Sequence, residues 1–200
     1  MSGLPPKIVM ATSNPGKIRE IARMLDELGV EVVAQSEFGV EDADETGTTF
    51  ADNSLIKAQH AATLTGLPAI ADDSGLTVDA LGGAPGVYSA RFSGPDADDR
   101  KNNEKLLAEL EGVADRAAAF RCVATCVDPG EAEPLVAEGA WCGEILDAPR
   151  GGGGFGYDPL FLVPDCGVSS AELTAEEKNA RSHRGQALKK LVEMLKQRYT

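Results

Sequence analysis

The stretch from residue 7 to residue 33 constrains the fold more than any other. Residues 7–11, Lys-Ile-Val-Met-Ala, form a short apolar run. A polar, glycine-containing segment follows at 12–16, and Ile18, Ile21, Ala22, Leu25 and Leu28 then recur at helical spacing before Val30, Val32 and Val33 open a second apolar run. Strand, loop, helix, strand is the reading, a βαβ unit. Such a unit sets two parallel strands side by side and leaves the first loop at the carboxyl end of its strand.

Downstream the pattern stays mixed. Residues 50–65 read as a helix stopped by Gly66 and Pro68, and 68–71 as a short strand ending in Asp72-Asp73-Ser74-Gly75. Glycines and prolines between Leu76 and Ser93 predict a structured loop around short extended pieces, and 99–111 is predicted helical. Runs at 117–127, 135–146 and 159–163 predict long antiparallel strands. Thr174 and Glu177 stand at capping-box spacing before an amphipathic helix through Leu188, Leu191, Val192 and Leu195. The fold class is α/β. No internal repeat and no linker divides the chain, so residues 1–200 are expected to form one functional unit.

Composition excludes whole classes of partner. With 42% hydrophobic and 26% charged residues the chain has the make-up of an ordinary globule. Its net charge of -13 lacks the lysine and arginine surplus that holds a nucleic-acid backbone. A small anion would need local cations, a helix N-terminus or a metal to overcome that field. Cys122, Cys126, Cys142 and Cys166 lack zinc-site spacing and are expected to be reduced, mostly buried thiols. No N-terminal signal segment and no membrane-length apolar run is present, which gives the expectation of a cytoplasmic protein without membrane contact.

Five constellations can carry chemistry. Thr12-Ser13-Asn14-Pro15-Gly16-Lys17 lies where helix N–H groups, hydroxyls and a lysine would cradle phosphate; a plain capped turn is the alternative, and the Walker pattern is absent. Asp42, Asp44 and Glu45 form one acidic cluster, Asp72 and Asp73 a second. Hard divalent cations want such oxygens, although acidic runs also serve simply as solvated surface. Adjacent strand residues face opposite ways, so only one of Asp72 and Asp73 is expected to meet substrate. Lys57 follows Asn53 by four residues on one helical face and either joins that chemistry or lies on the surface. Gly151 to Gly154 lead into Phe155-Gly156-Tyr157-Asp158, where a purine would stack on Phe155 or Tyr157, unless the run merely enters a core strand. Lys178, Arg181, His183 and Arg184 would spread around one continuous helix. They converge only if the helix breaks near Ser182; otherwise they are a solvated charged face.

Glu45-Thr46-Gly47-Thr48-Thr49-Phe50, Ala71-Asp72-Asp73-Ser74-Gly75-Leu76, Gly82-Gly83-Ala84-Pro85-Gly86-Val87-Tyr88-Ser89-Ala90-Arg91, Phe155-Gly156-Tyr157-Asp158-Pro159 and Ser182-His183-Arg184-Gly185 follow the 12–17 segment in order. Together the six motifs resemble the Ham1/RdgB-like inosine triphosphate pyrophosphatase family, over residues 7 to 196. The resemblance implies a two-lobed α/β fold around an elongated mixed sheet flanked by helices, a cleft between the lobes, and a homodimer. It also implies Mg2+-dependent hydrolysis of ITP, dITP and XTP between the α and β phosphates. By motif, Thr12, Ser13, Asn14, Pro15, Gly16 and Lys17 would hold the triphosphate. Asp73 would be general base and metal ligand, with Lys57 as the second catalytic candidate and Ser74 on substrate. Phe155, Gly156, Tyr157, Asp158, Lys178, His183 and Arg184 would line the base and sugar-phosphate side. Asp44 and Glu45 are the further metal candidates, and the choice between them stays open.

Hypoxanthine and xanthine carry an acceptor oxygen at C6 where adenine carries a donor, so donors from His183, Arg184 or backbone N–H groups would reject adenine. A Maf-like pyrophosphatase of modified pyrimidine nucleotides and a non-catalytic nucleotide sensor are the rival readings.

Overall fold

A computed structural model describes residues 3–26 and 28–199. Seven strands pair in the order β2-β1-β3-β4-β5-β6-β7, being β1 (Lys7–Met10), β2 (Glu31–Ala34), β3 (Ala69–Val78), β4 (Ala117–Val127), β5 (Leu135–Ile145), β6 (Phe161–Val163) and β7 (Val168–Ser169). The helices are α1 (Pro15–Asp26), α2 (Phe50–Thr65), α3 (Asp99–Glu109), α4 (Ala175–Arg181) and α5 (His183–Tyr199). β1 runs parallel to β2 and β3, whereas β5 with β6 and β6 with β7 are antiparallel, so the sheet is mixed. The βαβ opening is present as predicted: parallel neighbours cannot be joined by a tight turn, and α1 makes the crossover.

The chain forms two compact units. One comprises 1–73, 122–139 and 184–200, and the other 74–121 and 140–183. In the first, Ile8 and Met10 of β1, Ile21 and Leu25 of α1, Ile70 of β3 and Leu188, Leu191 and Leu195 of α5 share one core. Val9, Ala11, Ala69 and Ala71 pack with Ala58, Ala61 and Ala62 of α2 in a second cluster, where small side chains let helix and strand approach closely. β3 is buried at every position from Ala69 to Asp73, as a strand covered on both faces must be. The second unit has its own core of Leu76, Leu106, Trp141, Leu160 and Phe161. Along β5 burial alternates residue by residue, matching the pleat.

Three expectations need correction. β3 does not stop at Asp72-Asp73 but continues to Val78, through part of the segment predicted to be loop. Gly75 is there for close approach: a Cβ on it would stand 2.4 Å from the Ser89 hydroxyl oxygen and 2.6 Å from the Gly86 carbonyl oxygen. The Ser89 hydroxyl in turn accepts from the Leu76 N–H at 2.9 Å, so an apolar pair, Leu76 and Val78, carries the strand onward into buried positions. Secondly, the 159–163 strand is shorter than predicted, because 158–160 form a 3-10 turn before β6 begins. Thirdly, only Cys122 and Cys126 are buried, while Cys142 and Cys166 are exposed; all four are free thiols. Burial pushes the Cys126 thiol up to about 12, with Asp128 adding to the shift, which keeps it protonated.

Candidate active site

Asp73, at the point where the chain leaves the first unit, is the residue around which the first set of side chains gathers. Lys57 Nζ lies 3.1 Å from its Oδ1 and Asn53 Nδ2 donates to its Oδ2 at 3.2 Å. Both come from the same face of α2, four residues apart, one turn of helix. α2 is started by Thr49, whose hydroxyl accepts from the Asp52 N–H, and Asn53 Oδ1 accepts from the Gly47 N–H at 2.8 Å. Asn53 therefore ties the Thr46-Gly47-Thr48 turn to Asp73. Glu45, two residues before Gly47, reaches Lys57 Nζ at 2.8 Å, so one ammonium bridges two carboxylates. Asp44 is exposed, and its carbonyl accepts from the Thr46 N–H. The geometry thus brings Glu45, rather than Asp44, to the Lys57–Asp73 pair.

The electrostatics follow from that packing. Burial raises the Asp73 pKa and the Glu45 charge adds to it, against the opposing pull of Lys57 and the Asn53 hydrogen bond. For Lys57 burial acts downward, but Asp73 and Glu45 prevail and hold it above its ordinary value. Asp73 thus combines a raised pKa with a neighbouring lysine whose own pKa is raised.

Asp72 points the other way and is completely buried. Its Oδ2 receives Lys17 Nζ at 2.8 Å and Arg184 Nε at 3.2 Å, with the Cys122 thiol 3.9 Å away. Burial alone would raise its pKa, yet Lys17 and then Arg184 overturn that and hold it at about 2. Glu20 of α1 faces the same group; burial raises its pKa, Arg184 and Lys17 oppose, and Asp72 adds. Two cations on one buried carboxylate oxygen lock α1, β3 and α5 together within the first unit.

The 12–17 loop joins β1 to α1. Asn14 caps the helix with its own side chain, accepting from the N–H groups of Gly16 at 2.8 Å and Lys17 at 3.3 Å, and Pro15 occupies the first helical position where no N–H is needed. Thr12 accepts from the Asn14 N–H, and Ser13 donates to Asp42 Oδ2 at 2.8 Å. Four N–H groups of the segment, those of Thr12, Asn14, Gly16 and Lys17, are therefore already used. What the loop offers is the helix N-terminal dipole, two hydroxyls and the Lys17 ammonium.

The second unit gathers the remaining candidates. Phe155 is 70% exposed and Lys178 Nζ lies 4.6 Å from its ring centroid. Asp158 is buried; it accepts from the Phe155 N–H at 2.8 Å and the Ser170 hydroxyl at 2.8 Å, and pairs with Lys178. Tyr157 is buried in the core with its hydroxyl donating to the Ser89 carbonyl at 2.8 Å, so the stacking face falls to Phe155 alone. Gly156 takes φ +62°, a left-handed value. α4 ends at Arg181, Ser182 has φ -51° and ψ 128°, and α5 begins at His183, so the helix breaks at Ser182. His183 stacks on Phe120 with ring centroids 5.2 Å apart. Ser74, the first residue of this unit, is half-buried.

Sequence reasoning gave Gln35 no role and named Asn53 only for sharing a helical face with Lys57. Asn53 was accessible through its i, i+4 relation to Lys57. Gln35, which directly follows β2 and donates to Asp42, carried no signal.

A mixed seven-stranded sheet with these two sets of polar side chains defines an α/β protein of a particular family. Residues 8–194 match the Ham1 family, and the chain belongs to it. It is 58% identical over 193 residues to the dITP/XTP pyrophosphatase of Yersinia pseudotuberculosis, covering 95% of this chain and 98% of that one. The dITP/XTP pyrophosphatase of Escherichia coli K12 is 56% identical over the same shares. Among solved structures, a HAM1 protein from Coxiella burnetii superposes with a TM-score of 0.92 at 47% identity, over 96% of this chain and 100% of that one. A Mycobacterium abscessus nucleoside-triphosphatase, a dITP/XTP pyrophosphatase, gives 0.81 at 47% identity, over 94% and 99%.

Proposed function

We propose that this chain hydrolyses the non-standard purine nucleoside triphosphates ITP, dITP and XTP to the monophosphate and pyrophosphate. The observation that carries the reading is the Asp73 carboxylate, raised in pKa and held by Lys57 and Asn53 next to Glu45. Membership of the Ham1 family and relatives named dITP/XTP pyrophosphatases support it.

In the reaction a water oxygen bonds to the α-phosphorus as the bond from that phosphorus to the α–β bridging oxygen breaks, releasing pyrophosphate. The water's proton passes to Asp73, a transfer typically worth about 10²–10⁴-fold in rate. Lys57 keeps Asp73 ionised enough to accept it. Lys17, at the N-terminus of α1, supplies positive charge to the triphosphate, and the hydroxyls of Thr12 and Ser74 supply donors, while Ser13 spends its proton on Asp42. Phe155 offers its exposed face to the purine; Lys178, His183 and Arg184 are the donors assigned to the base and sugar-phosphate side.

The donor set suits Mg2+. Glu45 and Asp73 are two hard carboxylates sharing one ammonium, and Mg2+ takes one or two carboxylates plus substrate phosphates. Those two residues would hold it, with Asp44 as the exposed alternative to Glu45. When bound, the ion neutralises phosphate charge and polarises the scissile group. Among the described residues no three acidic, histidine or cysteine side chains gather as a ready-made metal site.

The same reading takes residues 1–200 as a single catalytic unit, active as a homodimer in the cytoplasm on small nucleotides rather than nucleic acid or membrane. The net charge of -13 supports small nucleotides over a nucleic-acid backbone as partner. Pyrophosphate release from ITP, dITP, XTP, GTP, ATP and dTTP, with and without Mg2+, tests the proposal. Turnover confined to the inosine and xanthosine substrates in the presence of Mg2+ is expected. Preference for a pyrimidine nucleotide would favour a Maf-like enzyme, and binding without release a sensor.

A further inference from the structure

We infer that Asp99 and Asn103 of α3 are positioning residues for nucleotide selection: they clamp the Gly156 peptide and so present Phe155 as the purine platform. The inference rests on the proposed assignment of Phe155 to the base.

Three observations within the second unit carry it. The Gly156 N–H donates to Asp99 Oδ2 at 2.7 Å, and Asn103 Nδ2 donates to the Gly156 carbonyl at 2.9 Å. Asp99 and Asn103 stand four residues apart on α3, so one helical face grips the N–H of Gly156 and its carbonyl. That residue has φ +62° and follows Phe155 directly, in a backbone state that only its contacts select from the many open to glycine. On the other side the Phe155 N–H is held by the buried Asp158 at 2.8 Å, leaving the 70% exposed ring as the free part of the turn. The cap of α3 is Asp98, which accepts from the Lys101 N–H at 2.8 Å, so Asp99 is not spent on capping. Asn103 contributes a single peptide contact and Asp99 a charge-assisted one, the stronger kind.

A platform that is correctly placed only part of the time weakens apparent affinity by that fraction and leaves chemistry untouched. Asp99→Ala is therefore expected to raise KM for ITP about tenfold with kcat within about twofold, the signature of lost ground-state binding. Asn103→Ala is expected to raise KM by about threefold, since its contact is between neutral groups. Asp99→Asn keeps an acceptor oxygen and is expected to restore most of the affinity. Glu104→Ala, an exposed residue paired with Arg100 on the same helix, is expected to leave KM unchanged.

The experiment measures KM and kcat for ITP in the full-length protein alongside amide hydrogen exchange at Gly156 by NMR. Faster Gly156 exchange together with a raised KM in Asp99→Ala, rescued in Asp99→Asn, is the expected result. Faster exchange with unchanged KM in both α3 variants, while Phe155→Ala raises KM, would overturn the positioning role and leave the platform standing. Unchanged KM in Phe155→Ala would overturn the platform itself and the inference with it.

Discussion

Asp72 and Asp73 are the same residue type, adjacent on one strand, and the protein drives them in opposite directions. Asp72, on one face of β3, is wholly buried against Lys17 and Arg184 and held at about 2. Asp73, on the other face, is raised by burial and by Glu45, with one lysine to restrain it. Strand geometry gives each its own surroundings one residue apart. The difference teaches that burial pushes both carboxylates towards the neutral form, and the cations on each face decide whether that push prevails, as at Asp73, or is overturned, as at Asp72. Asp72 is consequently a fixed anion that holds cations in place, and Asp73 a carboxylate able to take a proton.

Substitution at either position breaks the comparison in a different currency. Asp73→Asn is expected to lower kcat by about 10²–10⁴-fold, with melting temperature equal to or above wild type, because the ionised carboxylate was disfavoured by its burial. Steady-state pyrophosphate release and a thermal melt check both halves. Asp72→Asn is expected to destabilise the fold by about 3 kcal/mol, because it leaves Lys17 and Arg184 partly buried without their anion. Chemical denaturation measures that loss, and a stability within about 0.5 kcal/mol of wild type would show the cluster to be inert.

Acid sharpens the comparison. Asp72 titrates below its unfolded value, so its stabilisation is complete above about pH 4 and is lost as pH falls towards about 2. Asp73 titrates above its unfolded value, so stability is lost as pH rises through the ordinary carboxylate range to its raised pKa. Stability curves of Asp72→Asn should lose the first feature and those of Asp73→Asn the second. The smallest effect is expected from Lys57→Met. Removing that charge should move the Asp73 titration, followed by carbonyl NMR in the metal-free protein, further up the pH scale, while the Asp72 titration scarcely moves.

Much of this was legible in the sequence, for reasons that differ by element. The βαβ opening was readable because its apolar residues switch from a continuous run to helical spacing and back within one short stretch. The α4–α5 break was legible only as one of two alternatives, a break near Ser182 or one continuous charged helix, and the structure has the break. β3 was cut short because Gly75 reads locally as a stop; only the packing of Ser89 and Gly86 against it shows that the glycine serves close approach. In the candidate site, the opposite facing of Asp72 and Asp73 followed from the pleat alone. Their partners did not, since Arg184 lies 112 positions from Asp72 and no local pattern links them. Tyr157 and Phe155 were equivalent as sequence, and burial separates them into core and surface. The 12–17 segment shows the reverse failure: read for its free N–H groups, it consumes those of Asn14, Gly16 and Lys17 internally.

The central claim, that Asp73 takes the proton, is tested most directly by turnover and binding in the same variant. Asp73→Asn should bind ITP within a few-fold of wild type and release pyrophosphate at least about 100-fold more slowly at saturating ITP and Mg2+. Near wild-type kcat in that variant would contradict the account.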